Sequence, residues 1–433
     1  MSEWKKIQLK ELIDIKHGYA FKGEFFSEVP SNNLLLTPGN FYIGGGFKDD
    51  KFKYYVGNIP NEYILSEGDV IVTMTDLSKA GDTLGYSAKI PKSDKLFLHN
   101  QRLGLIEIIS DKVDKDFIYW LLRTRNYQKT IVNSCSGSTV KHTSPTKIRD
   151  YNFLCPPLEE QKAIAAVLSC LDAKIENLRK QNETLEAIAQ TLFKHWFIDF
   201  EFPFDFAQGK PNEDDKPYKS SGGAMIPSEL GEIPEGWRVG QFSDFFDLLS
   251  GGTPKTSIPE YWNGNIKWLS AKDVTRNHAG FILETEKTIT ELGIKKSAAK
   301  ILPQYTTIVS ARGTVGNYCM LSEEMAISQS NFGVIAKEKN KIFYGFLLIS
   351  SLIERLKKSS YGSVFDTVTA RNFKELKIIT PDKQKIITFE NAVKPIYNKI
   401  LLHSNEIQTL TKTRDTLLPK LMSGQLRVKD LSL

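Results

Sequence analysis

Two stretches of this chain set apolar residues at an alternating four–three spacing with polar residues between them. In the first stretch they are Ile164, Leu168, Leu171, Ile175, Leu178, Leu185, Ala189, Leu192 and Trp196, with Asn182 on the same stripe. In the second they are Phe389, Val393, Ile396, Ile400, Ile407, Leu410, Leu417 and Leu421, interrupted by His403 and Arg414. Each position of the second stripe lies 225 residues beyond its counterpart in the first. A period of 3.5 held this long predicts two long helices meeting along a narrow coiled-coil seam. The alternative is a pair of amphipathic helices, each packed broadly into its own domain.

Ahead of each helix stands a short apolar run, YNFLC before PPLEEQKAIAAVL and LKIIT before PDKQKIITFENAV. Proline after such a run stops a strand and presets the first helical turn. The same punctuation written twice points to an internal repeat. Laying Trp4 on Trp237, an offset of 233, superimposes Leu9 on Phe242, Leu12 on Phe245, Asp14 on Asp247 and Gly18 on Gly251. The β-rich runs DVIVTMT (69–75) and TTIVSAR (306–312) follow, then HNQRLGLIEI (99–108) and ISQSNFGVIA (327–336). From CSGSTVKHTSPTKIRDYNFLCP onward the offset settles at 225. This period is far longer than a solenoid repeat and describes a duplicated domain.

The predicted order is a globular domain at 1–155, a helix at 156–199, a linker at 200–236, a second domain at 237–380, a helix at 381–424 and a tail at 425–433. The stretch 200–236, rich in Pro, Gly, Ser and charge, lacks helical periodicity. Its aromatic start, FIDFEFPFDF, is expected to pack on a domain before the chain becomes mobile. The fold class is α+β: two similar mixed α/β domains separated by two helices in an antiparallel coiled coil, a pseudo-two-fold duplication. In an antiparallel pair, facing residue numbers sum to a constant. The value 585 sets Asn182 opposite His403 and Leu171 opposite Arg414, whose stem would lie along the seam with its head in water.

Composition narrows the functional classes. With 57 basic and 51 acidic residues the net charge is +6, which permits a polyanionic partner only if the cations gather on one face. No apolar run is long enough for a membrane span, and the start MSEWKKIQLKEL has no signal-peptide core. The expected compartment is the cytoplasm. The four cysteines have no CxxC spacing and read as incidental thiols in a reducing compartment.

CPPL at 155–158 is similar only superficially to the [ND]PP[YFW] motif of amino-methyltransferases; it lacks both the amide or acid and the aromatic. SGGTPKT is not a Walker loop. Asp366, Glu375 and Lys377 form a loose nuclease-like string, but the first copy has Lys141, Asp150 and Asn152 there. No catalytic, cofactor-binding or metal residue is expected in this chain.

PPLEEQKAIAAVLSCLDAKIENL, IPEGWRV and SGGTPKT, within the domain–helix–domain–helix order, resemble the specificity subunits of Type I restriction-modification systems. The likeness covers nearly the whole chain, and PDKQKII departs from the usual PP-x-x-EQ form. It implies two target recognition domains that each read one part of a bipartite, asymmetric DNA target across a gap set by the helices. Implied partners are double-stranded DNA, two modification (methyltransferase) subunits and restriction/translocase subunits, with no membrane. S-adenosylmethionine, ATP and Mg would belong to those partner subunits. Where the repeat aligns loops and strand ends, the candidates for DNA contact are Lys22, Asn40, Thr75, Arg102, Lys141 and His142, then Lys255, Lys272, Arg312, Gln329 and Asn331. The competing readings are an autonomous DNA-modifying enzyme and a coiled-coil adaptor that binds only proteins.

Overall fold

The computed structural model describes residues 4–50, 52–204, 216–311, 316–338, 341–359 and 373–430. Two helices dominate, Leu158–Phe197 and Lys383–Met422. Both have 40 residues and their bounds differ by the same 225 as the stripes. The remaining structure is a mixture of short helices and small sheets, so the α+β class holds. The chain forms two compact units, one from 1–175 with 409–433 and one from 176–408.

In the first unit Lys5–Gln8 pairs antiparallel with Asn152–Cys155, Lys5 opposite Cys155. A four-stranded sheet follows in the order Ile13–His17, Leu103–Ile108, Val70–Thr73, Ser87–Lys89. A five-stranded sheet contains the parallel pair Asn33–Leu35 and Leu96–Leu98. The second unit repeats this register. Arg238 faces Thr380 as Lys5 faces Cys155, and Phe246 faces Ala336 as Ile13 faces Ile108. Ser310 faces Asn331 as Thr73 faces Leu103, and Trp268 runs parallel to Ala326 as Leu35 does to Leu98. Gly18 and Gly251 coincide for a steric reason: a Cβ on either would stand 2.1 Å from a carbonyl oxygen, of Asn100 or of Ile327.

The helix starts are built into these units. Gln161, fully buried, accepts from Asp114 N at 2.9 Å and donates to the carbonyls of Lys112 (3.0 Å) and Pro156 (2.9 Å). That is the work of the glutamine in PPLEEQ: it ties strand end, helix start and the next loop together. In the second unit the corresponding position is the buried Ile386, and Glu390 takes over. Its carboxylate accepts from the backbone N–H groups of Ile342, Phe343 and Tyr344 at 3.0–3.1 Å, capping the helix Ile342–Ser359.

Segments of the two helices pack antiparallel within each unit. Asn182 Oδ1 lies 3.0 Å from His403 Nδ1, the meeting the sum of 585 predicts. Arg414 departs from expectation. Its guanidinium pairs with Asp172 and with Asp415 rather than reaching water, and its side chain is only 13% exposed. The narrow seam also holds only in part. Toward the helix ends Ala165, Phe193, Phe197, Ile386, Tyr397, Leu418 and Met422 are buried beside the stripe, because the domains wrap those turns. Around Leu171, Leu185, Ile407 and Leu410 the seam residues are half-buried, as in a bare two-helix pair.

The stretch expected to be a linker is more ordered than its composition suggests. Phe200 and Phe202 are buried as anticipated, and the ring of Phe202 stacks on both Tyr218 (4.6 Å) and Trp237 (5.0 Å). Beyond them Met225–Ser228 and Gly231–Pro234 form a hairpin. Aromatic burial decided what the Pro/Gly/Ser content concealed. In the first unit the tail mirrors this: Arg427 lies over the Trp4 ring at 5.1 Å and its Nε meets Glu160 at 3.1 Å.

Candidate nucleic-acid interface

At one end of the four-stranded sheet in the first unit, three loops are laced by backbone bonds. Gln101 N donates to the Tyr19 carbonyl at 2.9 Å, and Met74 N to the Arg102 carbonyl at 2.9 Å. Thr143 N donates to the Met74 carbonyl at 3.0 Å. Thr75 and Asp76 then pair with His142 and Lys141 as a two-stranded ribbon. The result is a ridge carrying Thr75, Arg102, Lys141 and His142, with exposed Lys22 three residues past Tyr19. Thr75 is buried, and its Oγ1 lies 3.2 Å from Nδ1 of the exposed His142.

Asp76 fixes the loop that crosses the ridge. Its carboxylate accepts from Ser78 N (2.6 Å), Thr83 N (2.5 Å) and Thr83 Oγ1 (2.7 Å). Burial pushes its pKa up, but the bonds from Thr83 and Ser78 outweigh burial and hold the carboxyl below the ordinary range. The loop is therefore held by an ionised group.

Parts of this backbone lacing recur in the second unit, where the positions aligned with the ribbon lie outside the described residues. Ala311 N donates to the Ser330 carbonyl at 2.8 Å, as Met74 does to Arg102. Gly252 N donates to Ile327 at 3.0 Å, as Tyr19 does to His99 at 2.8 Å. Gln329 and Lys255 are exposed there, and the Lys255 carbonyl accepts from Trp262 Nε1 at 3.2 Å. Lys272 is exposed but pairs with Glu286 at 2.8 Å, and that bond holds the Glu286 carboxyl below its usual range. Arg312 lies outside the described residues.

Two of the candidate residues are committed to the scaffold. Asn40 is 1% exposed, and its Nδ2 donates to the carbonyls of Asp50 (2.9 Å) and Lys48 (3.4 Å). Asn331 is fully buried, with Nδ2 on the carbonyl of Leu269 at 3.1 Å. It occupies the strand position that Leu103 holds in the first unit. Neither amide faces a ligand, and alignment alone could not distinguish them from surface polar residues. Gln101 escaped the sequence reading although its repeat partner Gln329 was chosen; both are exposed.

Of the nuclease-like string, Asp366 lies outside the described residues, and Lys377 pairs with Glu229. Among the described residues no group of three or more His, Cys, Asp or Glu could hold a metal ion. Nor is any helix there long and apolar enough to cross a membrane. Cys155 and Cys319 are buried, Cys135 is half-buried and Cys170 exposed.

What these strand ends offer is chemistry for a polyanion and for base edges: exposed Arg, Lys, His and Gln side chains on hydrogen-bonded loops. The family model described as "Type I restriction modification DNA specificity domain" matches residues 1–187 and 234–412. The chain belongs to this family. Both copies are matched, in agreement with the duplicated register. It is 29% identical over 424 residues to the Type I restriction enzyme MjaIX specificity subunit of Methanocaldococcus jannaschii, covering 90% of this chain and 91% of that protein. It is 27% identical to the Type I restriction enzyme HindI specificity subunit of Haemophilus influenzae, over 85% of this chain and 95% of that one. Its fold is similar to that of the S subunit of a Type I restriction-modification system from M. genitalium, with TM-score 0.57 and 16% identity over 97% of this chain and 96% of that one. This specificity-family chain thus carries two recognition domains and two long helices.

Proposed function

We propose that this chain is the DNA sequence-recognition subunit of a Type I restriction-modification complex, in the cytoplasm of a prokaryote. Each domain, 1–155 and 237–380, reads one part of a bipartite, asymmetric duplex target. Contacts come from Lys22, Thr75, Arg102, Lys141 and His142 in the first, and from Lys255, Lys272, Gln329 and the sequence position Arg312 in the second. The helices dock two modification subunits, which supply S-adenosylmethionine and adenine methylation; restriction/translocase subunits supply ATP-driven, Mg-dependent cleavage. The chain itself carries out no catalysis.

The observation that carries this reading is the duplicated strand register. Two platforms share one backbone register yet present different side chains, such as Arg102 against Ser330. An identical scaffold with different exposed groups suits two reading heads for two different sequences.

Exchanging residues 237–380 for those of a relative, in the assembled complex, is expected to change one half of the methylated motif and leave the other intact. Both halves changing together would sink the two-reader proposal. Methyl transfer to DNA by the purified chain alone would favour the autonomous enzyme instead.

A further inference from the structure

Leu77 sits on the ridge of the first unit with 67% of its surface exposed. An isolated surface leucine needs no explanation, but this one has an unusual setting. It directly follows Asp76, whose carboxylate closes the 77–83 loop through bonds to Ser78 and Thr83. Within that loop Ser78 Oγ also accepts from Asp82 N at 2.9 Å. The leucine is therefore held out by a loop tied at both ends, not by a flexible tip. Asp76 pairs with Lys141 and Thr75 with His142, so Leu77 is the first residue past the end of this ribbon. Arg102 joins through Met74 N, and exposed Lys79 follows two residues on; Asp82 is the exposed carboxylate of the loop.

An exposed apolar group on a tied loop, next in the chain to a ribbon that carries Lys141 and His142 and two residues before exposed Lys79, is matched to a surface that is anionic at its rim and apolar at one point inside. Duplex DNA presents that combination where the thymine 5-methyl projects into the major groove between two phosphate strands. We infer that Leu77 reads a thymine methyl in the half-site bound by the first domain, which rests on the DNA-recognition reading given above. The ribbon cations hold the backbone while the leucine excludes water from the methyl. An A·T pair is thereby distinguished by shape at a position where no hydrogen bond is made.

The test uses the complex of this chain with its modification subunits and a duplex carrying the methylated motif. Thymines of the first half-site are replaced one at a time by uracil, which lacks only the methyl. One replacement is expected to weaken binding by about 4-fold, the worth of one buried methyl-sized group. Leu77→Ala should weaken the thymine duplex by a similar factor and abolish the difference between thymine and uracil at that position. Leu77→Ala complexes that keep full affinity and the same uracil response would overturn the inference. So would a loss of affinity with no uracil-sensitive position, which would mark a wedge between base steps instead. If the unmodified complex shows no sequence preference at all, the recognition reading itself fails, a result distinct from either.

Discussion

The side chains of Asn182 and His403 meet in one layer of the long-helix pair, Oδ1 to Nδ1 at 3.0 Å. Asn182 Nδ2 also lies 3.4 Å from the Ile400 carbonyl and from Ser404 Oγ, and His403 is 6% exposed. A polar pair on a mostly apolar stripe selects register, since a shift by one heptad would set each polar group against an alkyl side chain.

Replacing His403 by Leu is expected to cost about 1–3 kcal/mol, because the Asn182 amide loses its partner inside the helix pair. Adding Asn182→Leu should recover much of that loss, since two leucines can share the layer. Denaturant unfolding of both single variants and the double variant measures the coupling. Strictly additive losses would mean the pair does not interact.

Glu186 gives the second unit a pH response. Burial, with Glu183 nearby, pushes its carboxyl from 4.5 up to about 7. The folded state therefore binds more protons than the unfolded one between those values, so this group's contribution falls as pH rises through that window. The full penalty, about 3 kcal/mol, is present above pH 7. Glu186→Gln is expected to raise the unfolding midpoint at pH 8 and to do little at pH 4.5; equal effects at both would refute the assignment.

His99 works in the opposite sense in the first unit. It is fully buried, with Nε2 3.0 Å from the Leu103 carbonyl and Nδ1 buried without a hydrogen-bond partner. Burial lowers its pKa from 6.5 to about 4, so the folded state holds it neutral. Between those values the unfolded chain binds the extra proton, and stability falls as pH drops through the window, by about 3 kcal/mol at most. Urea titrations at pH 7 and pH 4 should diverge less in His99→Gln than in the parent. An unchanged difference would show that other groups carry the acid response.

The sequence by itself determined the duplication, the two long helices and their antiparallel register. These follow from periodicity and offset, which report residue spacing on a helix without any knowledge of neighbours. The strand ends, the prolines and the two glycines were legible for the same reason: each answers a local steric demand. Only tertiary structure decided what each polar side chain is for. Asn331 and Gln329 read alike in sequence, yet one is buried on a backbone carbonyl and the other exposed at a strand end. Arg414 looked like a snorkelling residue until Asp172 was found beside it. The stretch after the first helix looked mobile because its composition is polar, while Phe200, Phe202, Tyr218 and Trp237 join a core that includes Tyr344 and Phe389 from far along the chain. Burial and pairing are sums over distant neighbours, and those sums exist only once the chain has closed on itself.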